Sequence, residues 1–176
     1  MFDDAMQGLS RALAENPLTE LFALSYYSFP VLEVIHVLTY GTFFGGMILL
    51  DLRLLGVGRF ISSQQTMRYI LRIAWLAFAL AIGSGILFFF VTPWEYPVNP
   101  IFQIKILLIL LAGANALLMH RFLLADIAHW DMDLAPPVAV RISALVSLLL
   151  WIGVVSCGRL IAYSSTYGLN YPAFNL

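Results

Sequence analysis

The reading of the chain turns on Ser28-Phe-Pro-Val-Leu-Glu-Val-Ile-His-Val-Leu-Thr-Tyr40 and its continuation Gly41-Thr-Phe-Phe-Gly-Gly-Met-Ile-Leu-Leu50. Extended back to Phe22, this run exceeds the ~20 apolar residues that cross ~30 Å of hydrocarbon. It is too long and too uniformly apolar for the alternating ten-residue strands of an outer-membrane barrel. Backbone groups in lipid must be satisfied internally, which leaves a helix. Inside that helix sit Glu33 and His36. An ionisable group at such a depth costs roughly 2.5–3.5 kcal/mol on insertion scales and usually serves a function. Their spacing of three directs both toward one side of the helix.

Three further runs of the same kind follow, over Ile73–Trp94, Ile101–Leu124 and Val138–Tyr163. Between them, Trp94–Pro100 carries two prolines and an asparagine, and Asp131–Pro137 ends in two prolines, so each connection stops one helix and starts the next. Only 11% of the 176 residues are charged and 61% are hydrophobic, with mean hydropathy +0.89. A soluble domain carries about 25% charged residues. The fold class that follows is an all-α, integral-membrane four-helix transmembrane bundle over 22–163. Residues 1–21 read as an N-terminal tail or interfacial helix, and 164–176 as a C-terminal tail.

The first 21 residues hold Asp3, Asp4, Glu15 and Glu20 and lack the basic start and apolar core of a signal peptide. Phe2, Met6, Leu9 and Leu13 recur at helical spacing, which suits a short interfacial helix. With the first and third connections in the cytoplasm, that side holds Arg53, Arg59, Arg68, Arg72, Arg121 and Arg141, against Arg11, Lys105 and Arg159 opposite. This bias predicts a multi-pass protein of the bacterial inner membrane with both termini periplasmic. Tyr26, Tyr27, Trp94, Tyr96, Trp130, Tyr163 and Tyr167 fall where an aromatic belt is expected. Single Cys157 excludes an internal disulfide, and a net charge of −1 leaves no nucleic-acid footprint.

Each span contains small residues suited to close helix approach: Gly41-Thr-Phe-Phe-Gly45-Gly46, Gly83-Ser-Gly85, Ala112-Gly-Ala114, and Gly153 with Cys157-Gly158. The interior polar list is Glu33, His36, Lys105, Asn115, His120 and Arg159, with Asp51 and Arg53 where the first helix exits. Imidazole is the commonest metal ligand and a proximal haem ligand, its second nitrogen held by a carboxylate or carbonyl. Glu33 lies one turn before His36 and suits that holding role. His120 is either a second ligand, the ligand of a second site, or a helix-terminal residue beside Arg121. Counted along parallel helices, His36 and His120 are offset by ~16 Å. Lys105 and Arg159 suit the carboxylates of a porphyrin.

Other metal chemistries are weaker. Glu33-x-x-His36 and Asp126-x-x-His129 resemble half-motifs of a di-iron site, but they lie toward opposite faces, and the second and fourth helices supply no interior acid. Met47, Met119 and Cys157 form no methionine cluster for copper.

At Glu33-Val-Ile-His36, Gly45-Gly46, Asp51-Leu-Arg53-Leu-Leu-Gly56 and Asn99-Pro-Ile-Phe102-Gln-Ile-Lys105, the sequence resembles a family of bacterial four-helix inner-membrane proteins similar to copper-resistance-D-like proteins and HemJ-type protoporphyrinogen oxidases. The resemblance spans Phe29–Tyr163. It implies a haem b site in which His36 stands where the HemJ-type branch has its first-helix histidine and Lys105 where it has a third-helix lysine. The Asp51-Leu-Arg53 exit and the Asn115/His120 pair depart from that branch, so its porphyrinogen-oxidising activity is not carried over.

The expected function is therefore a haem-b-binding membrane protein with an electron-transfer role, with a quinone or a redox protein as partner. Its candidate residues are His36, His120, Glu33, Lys105 and Arg159, with His36 and His120 as metal ligands. Two alternatives stand beside it. One is a proton relay or transporter using Glu33, His36 and His120. The other is a homo-oligomeric scaffold whose polar groups are internal glue.

Overall fold

The computed structural model describes residues 2–23, 26–58, 60, 62–93, 96–123 and 135–166. All regular structure among them is helical. Helices α1 (Phe2–Ala14) and α2 (Pro17–Ala23) precede four long ones: α3 (Ser28–Leu55), α4 (Ser63–Val91), α5 (Pro100–Leu118) and α6 (Val138–Thr166). A π-helical turn, Met119–Leu123, continues α5. The four long helices are long and apolar enough to cross a membrane, making this a multi-pass membrane protein. Arg59, Trp94, Trp130, Tyr167 and the Asp126-x-x-His129 motif lie outside the described residues.

Helix ends depart from the apolar runs because caps, not hydropathy, fix them. α3 begins at Ser28 rather than Phe22, with Pro30 in a first turn where its missing N–H is no loss. It ends at Gly56, whose φ of 102° closes a Schellman motif: Gly56 N–H donates to Arg53 O and Val57 N–H to Leu52 O, both at 3.0 Å. α4 starts ten residues before Ile73, because the Ser62 hydroxyl caps it by accepting from Gln65 N–H at 3.2 Å. Asn99 caps α5 in the same way, accepting from Ile101 N–H at 2.9 Å ahead of Pro100.

The packing is that of two hairpins. α3 lies along α4, α5 lies along α6, and the hairpins meet chiefly through α3 against α6. α4 and α5 touch near their connection, where Phe102 meets the rings of Phe89 (5.3 Å) and Tyr96 (5.7 Å). α1 and α2 lie against α4. The end where α3 begins is called proximal below, and the end where it exits distal.

The main apolar cluster joins Met47, Leu50 and Leu54 of α3 to Ala112 of α5, Met119 of the π turn, and Val140, Ala144, Trp151 and Val154 of α6. It fills the middle and distal part of the bundle. Its upper edge is aromatic: Phe43 packs on Trp151 at 4.6 Å and on Phe78 at 5.0 Å. Asn115 and Ser143 clamp α5 to α6 reciprocally, Nδ2 donating to Ser143 O at 3.0 Å and the Ser143 hydroxyl donating to Oδ1 at 2.9 Å. Asp51 is only 1% exposed. The Ser147 hydroxyl faces its carboxyl group, while Oδ2 has no hydrogen-bond partner among the described residues. Large side chains outside this core are widely exposed, among them Leu38, Trp75 and Leu110, as lipid rather than water as solvent requires.

The glycines divide by role. A Cβ on Gly46 or Gly153 would come within 3.1 Å of Ile70 or 3.0 Å of Leu108, so these two allow close packing as the sequence suggests. Gly41, Gly45, Gly83 and Gly113 have nothing within 4 Å of an added Cβ. Gly85 and Gly158 serve a third purpose, described next.

Candidate functional site

His36 lies two turns into α3, half-buried against α4. The Ser84 hydroxyl is 2.9 Å from its Nδ1. That hydroxyl has one proton, and it is already directed at the α4 carbonyls of Leu80 (2.8 Å) and Ala81 (3.1 Å). With that proton on an α4 carbonyl, the assignment the hydrogen-bond network favours, Ser84 Oγ accepts from Nδ1–H. With the hydrogen on Nδ1 the neutral imidazole has its lone pair on Nε2, and the Ala81 backbone also hydrogen-bonds the ring. This is the state in which histidine binds metal, one nitrogen fixed by a hydrogen bond and the other free to ligate.

The surroundings hold the ring in place. Phe88 meets it edge-on at 5.5 Å and Tyr40 lies at 5.6 Å. Gly85, one residue past Ser84, gives the imidazole its room: a Cβ there would be 3.4 Å from His36 Cε1. On the other hairpin Gly158 does the same for Lys105, whose Nζ would stand 3.6 Å from an added Cβ. Lys105 thus turns inward, toward α6, beside Cys157 and Gly158, and is near enough to act electrostatically on His36. An imidazole from one hairpin and an ammonium from the other occupy the proximal half of the bundle, each accommodated by a glycine.

The other expected site residues lie elsewhere. Glu33 is exposed, and Ser84 rather than Glu33 orients His36. Residues three apart are separated by about 60° around a helix, and at this end of α3 Leu32 is buried and His36 half-buried while Glu33 is exposed. His120 is exposed on the π turn, with α5 directing Ala112 and Met119 inward instead. His36 is eight residues into α3 and His120 twenty into the α5 segment, an offset of about 18 Å, so one chain does not bring them to one iron. Arg159 is exposed, its guanidinium donating to Tyr163 Oη at 3.2 Å and lying 4.8 Å over that ring. Asn115 is the α5–α6 clamp. No group of three or more His, Cys, Asp or Glu gathers among the described residues.

Ser84, Gly85 and Gly158 read from the sequence as small residues for helix packing or for close approach of a flat cofactor, not as partners of His36 and Lys105. The signal for Ser84 was a hydroxyl set between two glycines, on a helix facing a span that carries a histidine.

Comparison with protein families, with characterised proteins and with solved structures finds no match to this chain.

Proposed function

We propose that the protein is a bacterial inner-membrane haem b protein with an electron-transfer role, holding its haem through His36 as a single axial histidine. The observation that supports this reading is the Ser84 hydroxyl 2.9 Å from His36 Nδ1, a hydrogen bond that orients the imidazole and, with Nδ1 as donor, leaves the lone pair on Nε2. The donor set fits: a neutral imidazole for iron, aromatic neighbours for a porphyrin face, and the Lys105 ammonium for a propionate. The excess of arginine at the distal end supports a cytoplasmic distal end, with the His36 site toward the outer leaflet. A bound haem would supply one-electron chemistry. The chain's part is to orient the imidazole through Ser84, to pair with anionic carboxylates through Lys105, and to exclude water with Phe88 and Tyr40. A quinone or a redox protein at the outer face is the partner class this position suits.

A relay between Glu33, His36 and His120 has less in its favour. Glu33 and His120 are exposed, and the Phe43–Phe78–Trp151 cluster lies across the line from His36 to the distal end.

The test is a visible absorption spectrum of detergent-purified protein from haem-replete cells, oxidised and then dithionite-reduced. The expected result is a Soret band with sharp reduced α and β bands, lost in His36→Ala and retained in His120→Ala. A flat spectrum, or full pigment in His36→Ala, overturns the proposal.

A further inference from the structure

Two oppositely charged side chains stand exposed on the proximal halves of helices that the chain itself leaves uncovered. Glu33 is exposed on α3 and is absorbed by no hydrogen bond or ion pair among the described residues. Arg159 is exposed on α6, and its described partner is the neutral Tyr163. Charged groups within spans are rare on lipid-facing surfaces and face a partner instead. The Phe43–Trp151 contact sets a common level for these antiparallel helices. Glu33 lies ten residues on the proximal side of Phe43, and Arg159 eight residues on the proximal side of Trp151. At ~1.5 Å per residue the two charges are level to within about 3 Å, yet they do not meet within one chain.

From this charge complementarity we infer that copies of the chain associate in the membrane, with the Glu33 face of α3 in one copy against the Arg159 face of α6 in the next. The same register brings complementary shapes together. Glu33, Gly41 and Gly45 lie on one i+4 ridge of α3, which winds about 40° per step and so carries the glycines about 80° and 120° around the axis from Glu33, with nothing within 4 Å of a Cβ added to either glycine. On α6, Leu149 and Ile152 share the exposed side of Arg159. Gly45 and Leu149 are each two residues distal of the Phe43–Trp151 level, and Gly41 is nearly level with Ile152. Branched side chains of one copy thus face the open glycines of the other, the arrangement that favours helix association in lipid. All copies share one orientation in the membrane, so the contact closes as a dimer or ring about the membrane normal.

The test is cross-linking in native membranes between two differently tagged chains, both carrying Cys157→Ser, one with Gly45→Cys and the other with Leu149→Cys. Using two chains ensures that only an inter-chain adduct carries both tags. The expected result is a mixed-tag adduct that falls about tenfold with Glu33→Arg in the first chain or Arg159→Glu in the second, and returns when both changes are present. Glu33→Gln and Arg159→Gln, which keep side-chain shape, should each weaken it as well and guard against misfolding of the charge-reversed chains. Absence of the mixed adduct with native charges overturns the inference. So does an adduct indifferent to both glutamine variants, or one that the double reversal does not restore when both reversed chains reach the membrane.

Discussion

At the scale of single residues, the informative group is Ser84. Its hydroxyl spends its proton on its own helix and its lone pair on His36, and so decides which imidazole nitrogen is available. Replacing it with alanine removes a hydrogen bond worth about 1 kcal/mol. The expected outcome for Ser84→Ala is about a fivefold weaker hold on pigment, read from the Soret absorbance per protein at limiting haem. Ser84→Thr, which restores a hydroxyl, should recover most of the loss. A variant without the hydroxyl that binds pigment as wild type does would leave Ser84 a packing residue. His36 itself was legible in the sequence, since an imidazole in an apolar run has few bland explanations. Its partner was not, because serines are ordinary in membrane helices and only the facing helix reveals what a hydroxyl touches. Glu33 is exposed, and the hydrogen bond on His36 Nδ1 is with Ser84. Three residues along a helix is close in height but about 60° around the axis, and here His36 turns to Ser84 of α4 while Glu33 stays exposed.

At the scale of elements, the number, type and rough centre of all four long helices were readable, because ~20 uninterrupted apolar residues have few structural outcomes. Their ends were not. α4 continues for ten polar and mixed residues before its apolar run, since Ser62 and not a hydropathy step starts it. α3 outlasts Leu50 to reach the one residue able to close it. Gly56 adopts the left-handed conformation, so Gly56→Ala is expected to cost about 1–2 kcal/mol and to lower the midpoint of thermal helix loss in a fixed detergent. The π-helical turn over Met119–Leu123 also escaped the sequence reading. It returns Met119 to the core while His120 stays exposed.

At the scale of the whole molecule, the sequence supplied four helices but not their pairing. Apolar residues are interchangeable as signals, and nothing in their order states that α3 meets α6. The meeting rests on a few contacts, with Trp151 at their centre against both Phe43 and Phe78. Trp151→Ala is expected to destabilise by about 3–5 kcal/mol, well above the ~1 kcal/mol of Ser143→Ala, in matched denaturation series followed by far-UV circular dichroism. Equal losses would mean that the aromatic joint between the hairpins contributes no more than the single polar clamp within the α5–α6 hairpin.

That joint has a mechanical consequence. His36 rides on one hairpin and Lys105 on the other, and Phe43 against Trp151 is a fulcrum seven residues, about 10 Å, below the imidazole. Turning one hairpin by 5° about that point moves His36 relative to α5 by about 0.9 Å, an appreciable part of a hydrogen-bond length. The bundle is in effect a pair of tongs gripped below the middle, and whatever presses on the outer flanks of α3 or α6 is reported as the width of the jaws at the proximal end.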